Sequence, residues 1–177
     1  MWSAMKHHHD KLDLSQIRFY IITVSTSKYR ELLEKGSTND ISGGVIERII
    51  REKGGKIVGK EIIDDDIHMI RSRIESLIIR DDIDIIVLTG GTGIAPRDVT
   101  IEAITPLLEK KLDGFGELFR LLTYQSRGEI AMLTRALAGT IRDKAVFALP
   151  GSPDAAELGI KLILSQATHI ISLLRGL

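Results

Sequence analysis

DIIVLTGGTGIAPRDVT, residues 84–100, is the stretch that decides the fold. Asp84 to Thr89 is a nearly unbroken β-branched run, as expected of a strand covered on both faces. It passes without a spacer into Gly90-Gly91-Thr92-Gly93, and a helix is predicted from about Thr100. Working outward, Phe19 to Val24 and Lys56 to Ile63 read as two earlier strands, and Ala145 to Leu149 as a late one. Ile41 to Lys53 carries Ile41, Val45, Ile46, Ile49 and Ile50 at helical spacing and stops at Gly54-Gly55. Asp66 to Arg80, Asp154 to Leu164 and Ala167 to Leu174 are further helical patterns. Ser25 to Asn39 is polar and contains Gly36, so it reads as a long loop, or a loop with a helical turn. Apolar strands alternating with helices predict an α/β fold of three layers, a mostly parallel central sheet with helices on both faces. Residues 17–177 form a single domain in this reading, and residues 1–16 an N-terminal tail.

Composition limits the function classes. The chain has 177 residues, 44% hydrophobic and 27% charged, which suits one globular domain. Lys plus Arg is 24 and Asp plus Glu is 24, and this zero net charge argues against a nucleic-acid partner. With no cysteine, disulfides, thiolate metal sites and cysteine nucleophiles are excluded. No stretch approaches the roughly 20 unbroken apolar residues of a membrane span. Residues 1–10 lack the apolar core of a signal peptide, so a cytoplasmic location is expected. His7, His8 and His9 can take a metal, but a solvated tail is the default for such a run.

Open α/β sheets bind ligands beyond the carboxyl ends of their strands. Three segments fall there. In Thr89-Gly90-Gly91-Thr92-Gly93 the missing Cβ atoms let backbone N–H groups turn toward an anion, and the threonine hydroxyls add donors. The loop is neither a Walker A loop nor a GxGxxG fingerprint, and a plain strand-to-helix turn competes with the phosphate reading. Arg97 suits phosphate and Asp98 suits Mg²⁺, while Asp98 and Thr100 are equally suited to capping the next helix. Asp64-Asp65-Asp66 is by default a solvated turn or helix start. If one member faces the glycine loop, it pairs with Asp98 to hold Mg²⁺ on a nucleotide's phosphates. Pro150-Gly151-Ser152-Pro153 either bonds a ligand or starts the last helix. From residue chemistry alone, this is an anionic-ligand site of nucleotide or phosphoester type.

Taken in order, these motifs resemble the molybdopterin-binding domain of the MogA/MoaB-type molybdenum cofactor biosynthesis proteins, the molybdopterin adenylyltransferase family. Leu88 to Glu102 is close to the family signature. Gly114-Phe115-Gly116-Glu117 matches its Gly-Phe-Gly-Glu stretch, and Leu133-Thr134-Arg135-Ala136 its Leu-Ser-Arg-Ala with Thr for Ser. Pro150-Gly151-Ser152-Pro153 and Asp40-Ile41-Ser42-Gly43 match two more. The resemblance covers about residues 18–174. It implies that AMP passes from Mg-ATP to the terminal phosphate of molybdopterin, leaving pyrophosphate, before a molybdate insertase acts. It also implies a homo-oligomer, trimer or hexamer.

The family's two important acidic positions carry over to Asp98 and to one member of the Asp64–Asp66 run. Asp65 fits best counting back from Ile70, with Asp64 and Asp66 as alternatives, and Asp64 stands where proline is common. On this basis Asp65 and Asp98 are the catalytic and Mg²⁺ residues. Gly91, Thr92 and Gly93 would bind phosphate, Gly90, Arg97 and Thr100 join them as substrate- or cofactor-binding residues, Gly151 and Ser152 line the same pocket, and Glu117 and Thr134 are the pterin-side candidates. Phe115 and Phe119 are more typical of core, and His68 of a helix surface. An alternative is a molybdopterin-binding protein of the same pathway with little or no transferase activity. Another is a related domain acting on a different nucleotide or pterin, as in competence-damage-type proteins, although such relatives usually carry extra domains.

Overall fold

The computed structural model describes residues 12–177. A six-stranded sheet has the order β2 (Lys56–Ile63), β1 (Arg18–Val24), β3 (Ile85–Thr89), β6 (Lys144–Leu149), β5 (Leu137–Ile141) and β4 (Lys110–Lys111). The first four are parallel, whereas β5 runs antiparallel to β6 and β4 antiparallel to β5. Sheet and helices build the expected three-layer α/β architecture, mostly parallel at its centre.

Strand alternation divides the apolar residues between two cores. Phe19, Ile21, Ile85, Val87, Phe147 and Leu149 point to one face, under α2 (Ile41–Glu52), α5 (Asp113–Arg127) and α6 (Pro153–Leu174). Tyr20, Ile22, Ile86, Leu88, Val146 and Ala148 point to the other, under α3 (Ile67–Ile78) and the short α4 (Thr100–Ile104). α6 is one continuous helix where the sequence showed two patterns. Its buried Ala156, Ile160, Ile163, Ala167 and Ile171 keep helical spacing across Ser165-Gln166. By length and composition α6 could cross a membrane, but this apolar face is packed against the sheet.

Four elements depart from the sequence reading. Thr26–Lys35 is a helix, α1, rather than a loop. The Ser25 hydroxyl accepts from the Lys28 N–H at one end, and Gly36 closes the other in the left-handed region at φ 72°, its N–H bonded to the Leu32 carbonyl. No residue of α1 is buried, so it lacks the apolar stripe by which helices are recognised. α5 has two glycines in its first turn and exposed Leu118, Leu121 and Tyr124, which blur its periodicity. β5, with the sequence LAGTI, holds only weak strand formers at its centre. β4 is two lysines long. Part of the stretch read as a tail, residues 12–16, is ordered against the domain. Leu12 and Leu14 pack on the core and Asp13 caps a 3₁₀ turn over Leu14–Gln16. His7, His8 and His9 lie outside the described residues.

At the amino ends of the strands, Asp84 is the main polar anchor. Its buried carboxylate accepts from the Arg18 backbone N–H at 2.8 Å, from Arg18 Nε at 3.0 Å and Nη2 at 2.9 Å, and from Arg175 Nη2 at 2.6 Å. It thereby joins the starts of β1 and β3 to the end of α6.

Candidate functional site

The chain leaves β1, β2, β3 and β6 at the same, carboxyl end of the sheet, and their exits are bonded to one another. The Ser25 N–H donates to the Ile63 carbonyl and the Gly90 N–H to the Leu149 carbonyl, both at 3.0 Å. Ser42 Oγ donates to the Gly151 carbonyl at 2.7 Å, and Thr89 Oγ1 to the Pro150 carbonyl at 3.1 Å. Asp40 caps α2 through the Gly43 N–H and accepts from Thr23 Oγ1 at 2.8 Å. The Asp40-Ile41-Ser42-Gly43 motif therefore secures α2 to β1 and to the 150–153 turn.

Between these exits lies a cavity of about 380 Å³. Gly90, Gly91, Arg97, Asp98 and Gly151 line it, with Asp65 entering from beyond β2. Each of the three consecutive aspartates has a different task. Asp66 caps α3, its Oδ1 accepting from the His68 and Met69 N–H groups at 3.0 and 2.8 Å. Asp64 accepts from the Asp65 N–H at 2.8 Å. Asp65 alone of the three lines the cavity, held by the Val99 N–H at 3.2 Å. Burial pushes the Asp65 carboxyl above the usual carboxylate range; the Val99 bond opposes this, and the charges of Asp98 and Asp64 reinforce it.

The glycines are required by close approach. A Cβ on Gly91, at φ 62°, would sit 2.6 Å from Asp65 Oδ1 and 2.4 Å from Thr100 Oγ1. On Gly93 it would sit 2.5 Å from Asp98 Oδ2. Gly90 is the most constrained: its φ is 104°, and a Cβ would meet the Val24 carbonyl oxygen at 2.2 Å. Gly90→Ala is therefore expected to cost about 2 kcal/mol or more through strain and clash. Thermal unfolding should show this as a fall in Tm of roughly 4–8 °C; an unchanged Tm would contradict this account of the loop.

Beyond the loop two further hollows continue the site. One of about 430 Å³ is lined by Gly91, Thr92, Gly93, Asp98, Thr134 and Arg135, among others. The next, about 530 Å³, includes Thr134, Pro150 and Ser152 against α5 and α6. Ser152 also caps α6 by accepting from the Ala155 N–H. Three residues named from the sequence have particular places in the fold. Thr100 is buried and its hydroxyl donates to the Gly90 carbonyl at 2.9 Å, so it braces the loop from behind. Thr89 lines the 380 Å³ cavity but is likewise buried, its hydroxyl donating to the Pro150 carbonyl. Glu117 lines a separate small cavity with Gly116 and Arg120, away from the glycine loop. Phe119 is core, as is Phe115, whose ring meets Phe147 edge-on at 5.1 Å, and His68 is exposed on α3.

The sequence reading also missed one wall. Ser25, Ser27, Lys28 and Arg30, from the start of α1, line the 380 Å³ cavity. Together with Arg97 they place three cations around the two carboxylates. The signal for them was the Ser25 cap paired with Gly36, which marks a helix directly after a buried strand.

Residues 20–169 match the model of the probable molybdopterin-binding domain family. The chain belongs to this molybdenum cofactor biosynthesis family. Among its members, the probable molybdopterin adenylyltransferase of Methanocaldococcus jannaschii is 40% identical over 162 residues, 92% of this chain and 96% of the relative. Molybdenum cofactor biosynthesis protein B of Bacillus cereus is 40% identical over 164 residues, 92% and 93% of the two chains. A crystal structure of a molybdenum cofactor biosynthesis protein B superposes with TM-score 0.83 at 38% identity, covering 94% of this chain and 100% of the other. The tungsten cofactor synthesizing protein MoaB of Pyrococcus furiosus gives TM-score 0.80 at 38% identity, covering 90% and 97%.

Proposed function

We propose that this chain transfers AMP from Mg-ATP to the terminal phosphate of molybdopterin, giving adenylyl-molybdopterin and pyrophosphate. The observation that carries the reading is the convergence of Asp65 and Asp98 on the glycine loop, in a cavity ringed by Lys28, Arg30 and Arg97. The name of the M. jannaschii relative points the same way.

The residues suit a metal–nucleotide complex. Mg²⁺ binds through one or two carboxylates with the remaining positions taken by phosphate oxygens and water. Asp65 and Asp98 are such a pair, and among the described residues no cluster of three or more His, Asp or Glu forms an all-protein cage. When bound, Mg²⁺ neutralises phosphate charge and makes the α-phosphorus a better electrophile. The chain's own part is alignment and charge. Lys28, Arg30 and Arg97 offset the polyphosphate, and Gly91 and Gly93 on either side of Thr92 leave no side chain between their backbone N–H groups and a phosphate. An oxygen of the molybdopterin phosphate bonds to the α-phosphorus while the bond to the β-phosphate bridging oxygen breaks, its electron pair leaving with pyrophosphate. The attacking oxygen is already anionic near neutral pH, so neither aspartate is needed as a general base.

The test is incubation of the chain with molybdopterin, ATP and Mg²⁺, following adenylyl-molybdopterin and pyrophosphate. Equal amounts of both products are expected. Retained molybdopterin binding with no AMP transfer would overturn the transferase reading in favour of a binding protein of the same pathway.

A further inference from the structure

We propose that Arg135 receives the phosphate of the pterin substrate, on the opposite side of the glycine loop from the nucleotide cavity. This rests on the function proposed above. Arg135 comes just after the 3₁₀ segment Gly128–Leu133 and is among the residues that line the 430 Å³ hollow. That hollow shares Gly91, Asp98 and Gly151 with the 380 Å³ cavity, so the loop and one carboxylate form a common wall. The charges on the two sides differ. The first cavity has Lys28, Arg30 and Arg97, whereas among the described residues Arg135 is the one cation lining the second, beside apolar Ile130, Leu133 and Pro150. A phosphate monoester approaching Asp98 and a polyphosphate needs a cation on its own side, and a guanidinium offers paired donors to phosphate oxygens.

The guanidinium is held for this task. Arg135 Nη2 donates to Glu102 Oε1 at 2.5 Å, and Glu102 sits on α4 two residues after the loop-bracing Thr100. α4 is itself fixed by Arg71, which donates to the carbonyls of Ala103 and Glu102 at 3.2 and 3.1 Å. One bond to Glu102 occupies one of five guanidinium donors, leaving the others for a ligand. Glu102 is thus a positioning residue. The Arg135 side chain is 30% exposed and that of Glu102 48%, and pairs so exposed add little to stability, so the variants should fold.

The experiment compares wild type with Arg135→Gln, Arg135→Lys and Glu102→Gln. It measures molybdopterin affinity by pterin fluorescence, affinity for Mg-α,β-methylene-ATP by calorimetry, and KM and kcat for AMP transfer. Arg135→Gln should weaken molybdopterin binding by about 10-fold or more, the loss of charge-assisted hydrogen bonds, with methylene-ATP affinity unchanged. Arg135→Lys should recover part of the loss, and Glu102→Gln should raise KM for molybdopterin with a smaller change in kcat. Wild-type molybdopterin affinity in Arg135→Gln, or an equal loss of methylene-ATP affinity, would overturn the assignment. Arg135-dependent binding in a wild type that transfers no AMP would overturn the transferase reading and leave this assignment standing. A wild type that binds no molybdopterin overturns both.

Discussion

Asp98→Asn is expected to lower the rate of AMP transfer by about 10²-fold or more, and Asp65→Asn by a similar factor, because in the proposed reaction each would remove one fixed charge that positions the metal-bound phosphates. Both changes keep side-chain volume, so the loop that Asp98 supports through the Ala95 N–H should persist. Molybdopterin binding should survive better than transfer. Equal activity of wild type and both variants would remove the assignment of these carboxylates.

Asp65→Asn should carry a second, opposite effect on stability. The folded pKa of Asp65 is raised, chiefly by burial and then by Asp98 and Asp64. The folded chain therefore holds a proton there over a range in which the unfolded chain has lost it. The group's contribution is most favourable below the unfolded pKa and is lost as pH rises through the folded one. Asparagine removes that penalty and can still accept from the Val99 N–H. Asp65→Asn should melt higher than wild type at neutral pH, with the difference closing in acid. A variant that melts lower at neutral pH would show that the carboxylate is stabilising, contrary to its burial among like charges.

The largest loss of stability is expected at Asp84. Removing this carboxylate in Asp84→Ala strands two arginines and the Arg18 backbone N–H, and breaking a buried pair from one side costs about 3 kcal/mol or more. For a chain of this size, Tm should fall by roughly 6–12 °C. Burial acts to raise this carboxyl, but the Arg18 side-chain and backbone bonds, with the Arg175 charge, outweigh it and hold it below the usual range. Its contribution is therefore present above the unfolded pKa and is lost as pH falls through the folded one. The gap between wild type and Asp84→Ala should narrow in acid. Asp84 lies at the far end of β3 from Thr89, about five residues or roughly 16 Å of strand. Transfer by the variant below its Tm should be close to wild type; a loss of rate matching that of Asp98→Asn would mean that the two ends of the strand are coupled.

Sequence and tertiary structure decided different parts of this protein. Period and composition are local properties, so DIIVLT, the run from Phe19 to Val24 and the isoleucines of α2 were enough to specify a layered α/β fold. The glycine loop was legible for the same reason, because a β-branched strand entering Gly-Gly-Thr-Gly leaves few conformations. α1, α5 and β5 were not, since exposed or small residues give no periodic stripe. Nor can adjacent residues of the same type be separated by counting. Asp64, Asp65 and Asp66 are chemically identical, and only the fold distinguishes them. The first N–H groups of α3 claim Asp66, the turn claims Asp64, and the exit of β2 beside the Gly91 backbone turns Asp65 into the cavity. Thr100 and Glu117 show the converse: their motifs are where the sequence places them, but tertiary packing sets one behind the loop and the other in a different cavity.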